Sequence, residues 1–188
     1  MKITNIKKFS SVISTALLSA GLWLALSTAP VAQANDVSLT TDLQPPVCDS
    51  IQVPPGNKVA FHVYARGVQV YRWNGVSWDF VAPVAMLYAA SKYFGEVGIH
   101  YGGPTWESNS GSKVVAARLA GCSPDQTAIP WLLLRSVSNN GAGIFNFVTY
   151  IQRVNTTGGL APATAGSTIG EVTEVPYTAE YYFYRADN

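Results

Sequence analysis

The chain has 188 residues, with twelve Lys/Arg against eleven Asp/Glu and 48% hydrophobic side chains. So even a balance, with no run of like charge, leaves nothing from which to build a basic patch, which excludes a nucleic acid or an anionic membrane surface as partner classes. Two cysteines and the distant histidines His62 and His100 lack metal-ligand spacing, so neither a metal nor any cofactor is expected.

In chain order, Lys2, Lys7 and Lys8 precede an apolar run from Val12 to Leu26, and Ala32-Gln-Ala34 has the small-x-small form that a signal peptidase cuts. The run is diluted by Ser14, Thr15, Ser19 and Gly21 and falls short of the roughly 20 apolar residues of a membrane span. A cleaved export signal over residues 1–34 is therefore expected, with no membrane span after cleavage and a secreted or periplasmic location. Cleavage leaves 154 residues, enough for a single domain over 35–188, and removal of three lysines leaves nine basic against eleven acidic side chains. An oxidising compartment favours a Cys48–Cys122 disulfide, the alternative being two reduced, buried thiols.

Residues 35–55, with Pro45, Pro46 and Pro54, read as an N-terminal arm tied down at Cys48. From Lys58 to Ala65 the residues Val59, Phe61, Val63 and Ala65 alternate with Lys58, His62 and Tyr64, the period of a strand. The pattern continues through Gly67–Trp73. Asn74-Gly75 then predicts a tight type I′ turn and a hairpin over Gly67–Val81. Pro83–Phe94 reads as strand and loop, since Pro83 and Gly95 leave little length for a helix. Gly98–Tyr101 is short and extended, Lys113–Leu119 and Trp131–Val137 are strands, and Asn139–Gly143 is a turn. A strand returns over Phe145–Val154, Thr156–Ser167 is a loop, and an aromatic strand closes the chain over Tyr177–Arg185. Short strands separated by Gly, Pro and Asn, with little helix outside the signal, predict an all-β fold: an antiparallel β-sandwich or a small β-barrel with long loops.

The ordered segments Val70-Tyr-Arg-Trp73, Trp78-Asp-Phe80, Gly95–Lys113, Arg153–Gly159 and Val175–Tyr184 together resemble the exported bacterial and fungal family catalogued as domain of unknown function 3455. The resemblance covers nearly all of the chain after the signal and implies no activity.

The residues themselves offer one cluster. His100, Tyr101, Trp106 and Glu107 flank a Gly/Pro turn that can bring backbone close to a ligand. An imidazole and a carboxylate suggest an acid–base pair, and an indole suggests a platform for a sugar or aromatic ring. The alternative is structural: a hydrogen-bonded His100, a core Trp106, and Glu107 paired with Lys113. Arg153 is a further candidate, either meeting an anion or bracketing a loop through backbone carbonyls. Ser108, Ser110 and Ser112 lack a nucleophile elbow, and Gly111-Ser-Lys113 lacks the glycine spacing of a phosphate loop. The functional expectation is a non-enzymatic exported β-domain that binds a small molecule, glycan or envelope component. A carbohydrate hydrolase or lyase acting through His100 and Glu107 is the first alternative, and a structural or stress-related envelope protein the second.

Overall fold

The computed structural model describes residues 48–187. The expected export signal over 1–34, and the arm as far as residue 47, lie outside the described residues. A single 3-10 turn, Asp49–Ile51, precedes eight strands: β1 (Asn57–Trp73), β2 (Trp78–Tyr88), β3 (Glu96–Tyr101), β4 (Thr105–Ser108), β5 (Lys113–Cys122), β6 (Trp131–Asn140), β7 (Tyr150–Gly158) and β8 (Val172–Ala186). Each strand pairs antiparallel with its chain neighbours, and β8 pairs with β1, so the sheet closes into an up-and-down barrel. Of the two architectures expected, the barrel is the one formed. No helix among the described residues is long and apolar enough to cross a membrane.

The period-two pattern explains which side chains fill the barrel. On β1, Val63, Ala65, Gln69 and Tyr71 are buried, while Lys58 and Arg66 are exposed. Phe61 faces the core with the buried set, its ring stacked 4.6 Å from that of Phe183, but a bulge at Ala60 pairs Val59 with Tyr184 and takes Val59 off the face that alternation predicts for it. Gly67 sits where β1 and β2 approach too closely for a side chain, since a Cβ there would lie 2.1 Å from the Val84 carbonyl oxygen.

Two local expectations need correction. The β1–β2 connection is the four residues Asn74–Ser77 rather than a two-residue type I′ turn, with Trp73 paired to Trp78. The reason lies in the asparagine: its Oδ1 accepts from the backbone N–H groups of Val76 and Ser77, both at 2.8 Å, so only Gly75 takes a positive φ. The return strand begins at Tyr150, not Phe145, and runs on to Gly158. Residues 141–149 form a loop whose fold is held by Asn139, which donates to the carbonyls of Phe145 (2.6 Å) and Val148 (3.1 Å). Phe145 is thereby turned inward, 5.0 Å from the Phe183 ring.

Cys48 and Cys122 form the disulfide, with Cα atoms 5.6 Å apart across 74 residues of sequence. The segment it fastens lies on the outside of the barrel. Ile51 is fully buried there with Leu133 and Val154, and Gln152 donates to the Ile51 carbonyl at 2.7 Å. Tyr184 completes the chain by donating to Gln152 Oε1. A side chain from the outer face of β7 is thus fully satisfied under the arm, as a buried amide must be.

Candidate binding site

The loops at the two ends of the barrel differ. Loops 89–95, 109–112 and 141–149 close one end. At the other end lie the connections 74–77, 102–104, 123–130 and 159–171, and there a cavity of about 450 Å³ is lined in part by the 102–104 and 123–130 connections. Its walls are mostly apolar, including Phe80, Val81, Pro83, Ile129, Leu132 and Leu134, with Gln69, His100, Arg118 and Arg153 as the polar and charged contributors. Volume and composition suit a small organic ligand.

Backbone irregularities deliver several of these side chains. The β1–β2 register shifts between Val70 and Tyr71, leaving Val81 unpaired, and Phe80 and Val81 both reach the cavity and both remain half exposed. A second shift on β5 leaves Leu119 unpaired directly after Arg118, which follows Val114 and Ala116 on the inward face. On β7, Asn155 takes φ 49°, a conformation that asparagine tolerates, and displaces the strand's end toward the 123–130 loop. Thr156 Oγ1 then donates to the Ile129 carbonyl at 2.6 Å, and Ile129 N–H donates to the Gly158 carbonyl at 2.9 Å. Arg153 donates from Nε (3.1 Å) and Nη2 (2.8 Å) to the Pro130 carbonyl. The Arg153–Gly159 segment therefore fastens one loop over the mouth, and Tyr71 fastens its far end by donating to the Gly159 carbonyl at 2.6 Å.

His100 lies at the base of this cavity, 3% exposed, its ring stacked 4.2 Å from that of Trp106. Its Nδ1 lies 2.8 Å from the Thr105 carbonyl, which can only accept, so Nδ1 carries the proton and Nε2 the lone pair. Burial, with a further push from the Arg153 charge, lowers its pKa to about 3, so the ring is neutral at ordinary pH. Tyr181 and Tyr177 are likewise held neutral, their pKa values raised first by burial. Arg153 acts electrostatically on His100, Tyr71, Tyr177 and Tyr181 together, which places a positive charge at the centre of the polar groups.

Of the five side chains singled out from sequence, His100, Trp106 and Arg153 come together in this cavity. Tyr101 and Glu107 do not. His100 pairs with Trp106 across β3–β4, and Glu107 pairs with Ile99, so the neighbours in sequence face opposite sides of the sheet. Outside, Tyr101 donates to Glu107 Oε2 at 2.9 Å, and Lys113 Nζ lies 3.1 Å from the same oxygen. The Tyr101 hydrogen bond, then that from Lys113, holds the Glu107 carboxyl below its usual range. An imidazole and a carboxylate on opposite faces cannot act on one substrate. The three serines are also occupied: Ser112 Oγ is buried, 3.0 Å from Ser108 Oγ, and accepts from Phe145 N–H. Among the described residues no group of three His, Cys, Asp or Glu side chains could hold a metal ion.

Sequence reading missed Gln69, Tyr71, Arg118, Ile129 and Tyr181. A signal for two of them was present, since Gln69 and Arg118, like the candidate Arg153, each interrupt the apolar face of a strand, and all three do so toward the same end.

Residues 54–185 match the family model described as Protein of unknown function (DUF3455), and the chain belongs to that family. No curated protein and no solved structure matches it.

Proposed function

We propose that this member of the family is an exported binding protein whose barrel mouth holds one small, largely apolar molecule. The observation that carries the reading is the cavity itself. A barrel of eight strands has an interior wide enough either to be filled by side chains or to hold one small ligand, and here one half is filled and the other is not. Aliphatic and aromatic walls supply affinity by removing apolar surface from water, and a few polar groups fix orientation. His100, Trp106 and Arg153 are the binding residues in this reading, while Tyr101 and Glu107 belong to the outer surface. Export rests on the residue 1–34 pattern and is supported by the disulfide.

The test is titration with N-phenyl-1-naphthylamine, an uncharged fluorophore that brightens in apolar surroundings. Saturable binding to one site is expected, weakened by Val81→Trp, which narrows the mouth at a half-exposed position. Absence of saturable binding, or binding indifferent to Val81→Trp, would sink the reading.

A further inference from the structure

We infer that the occupant of the cavity is an organic anion, with an apolar body against the walls and a carboxylate-type oxyanion at Arg153. The inference rests on the binding reading above and adds the chemical class of the ligand. Its first ground is charge. Arg118 and Arg153 both line the cavity and no Asp or Glu does. A guanidinium in an apolar-walled site is ordinarily compensated by a carboxylate, because a charge removed from water is costly unless paired. Among the described residues Arg153 has no ion pair, and the Pro130 carbonyl takes two of its five N–H donors.

The second ground is the kind of polar group left without a partner. Gln69 Nε2 and Trp106 Nε1 are buried and make no hydrogen bond among the described residues, whereas the Tyr177 and Tyr181 phenols interact with each other and Tyr181 with Arg153. Both unpartnered groups are N–H donors outright, and Arg153 has N–H groups beyond the two that the Pro130 carbonyl takes. Three nearby backbone acceptors, by contrast, are already used: Thr105 O by His100, Pro130 O by Arg153, and Gly159 O by Tyr71, which leaves the His100 Nε2 lone pair as a side-chain acceptor. A site whose donors and positive charges outnumber its free acceptors complements a group that only accepts. Arg153 is partly buried and meets the cavity directly, and Gln69 and Trp106 line it beside Arg153 with their N–H groups buried. The oxyanion therefore docks on the guanidinium, and the donors beside it supply a favourable field.

The anionic probe 8-anilinonaphthalene-1-sulfonate and the uncharged N-phenyl-1-naphthylamine share one ring system and differ by the sulfonate, so the pair isolates the charge. The sulfonate form is expected to bind the purified protein at least about tenfold more tightly, a preference that charge-assisted hydrogen bonding supports. Arg153→Gln should remove most of that preference while changing the affinity for the uncharged probe much less, and Arg153→Lys should retain part of it. Because Arg153 also braces the 123–130 loop, Arg118→Gln provides a second variant at the rim, expected to lower the preference by a smaller factor. Equal affinity for the two probes, or a preference untouched by Arg118→Gln and by whichever Arg153 variant folds, overturns the inference while leaving apolar binding standing. If neither probe binds, both readings fall.

Discussion

The two ends of the barrel are built from the same eight strands and differ in what those strands point inward. At the closed end Phe61, Phe145 and Phe183 meet with ring centroids 4.6 to 5.5 Å apart, and the 141–149 loop brings in Phe145 as a plug. At the open end the corresponding positions carry Gln69, Arg118, His100 and Arg153, and the loops are fastened around a cavity rather than through it. Closure of the sheet fixes the backbone of both ends alike. The difference is that large rings fill one end, whereas at the other polar side chains stand beneath loops held back by hydrogen bonds. Stability should therefore be concentrated at the closed end and binding at the open one.

Truncation at the boundary between the two ends should have the largest effect. Trp106 is 1% exposed and touches His100, Tyr181 and Phe183. Trp106→Ala should cost about 3–5 kcal/mol by leaving a void that the closed sheet cannot collapse. Phe80→Ala, at a rim position 55% exposed, should change stability far less, and chemical denaturation of the two variants would measure the contrast. Similar losses would break it.

The disulfide comes next. Its 74-residue loop removes unfolded-state entropy equivalent to about 4 kcal/mol in the chain-entropy model. Cys48→Ser and Cys122→Ser should lower the melting temperature by similar amounts, with the double variant no worse than either, since each removes the same crosslink. Two reactive thiols in the unfolded, unreduced protein would contradict the bond.

A smaller effect comes from protons at the cavity base. His100 titrates at about 3 when folded against 6.5 for an ordinary imidazole. Between those values the unfolded chain binds a proton that the folded chain refuses, so this contribution is whole above pH 6.5 and is lost as the pH falls. The loss from pH 7 to pH 5 should be about 2 kcal/mol. Arg153 stays charged throughout the window. His100→Gln should flatten the profile there, as denaturation at the two pH values would show. An unchanged slope would mean that His100 is not held neutral.

The smallest effect is expected on the outer face. Glu107→Gln breaks an exposed pair with Lys113 and leaves Tyr101 an acceptor, so the unfolding midpoint should not move measurably.

Much of the fold was legible because strand periodicity is local. Val63, Ala65 and their neighbours declare their face from a few residues, and the aromatic run from Tyr177 declares the last strand. Closure was not legible, because it depends on β1 meeting β8 across more than a hundred residues, and nothing in either strand distinguishes a barrel seam from a sandwich edge. Phe145 was misread as strand for a related reason: it lies in the 141–149 loop, and its inward position is set by the hydrogen bond from Asn139 at the end of β6, not by alternation. In the candidate site, the faces of His100 and Tyr101, and of Trp106 and Glu107, follow from the period of two once both segments are strands. That Arg153 joins His100 and Trp106 follows only from the order of β7 and β8 around the ring and from the 123–130 loop it braces.

The central claim is that a ligand occupies the open end, and its most direct test uses the indole protons as reporters. In heteronuclear correlation spectra of the purified protein, titration with 8-anilinonaphthalene-1-sulfonate should shift the Trp106 Nε1–H and Arg153 Nε–H signals in proportion to occupancy. The Trp131 indole, packed on the outer face with the arm, should hardly move. Movement of Trp131 with Trp106 and Arg153 unchanged would put the ligand outside the barrel and contradict the account.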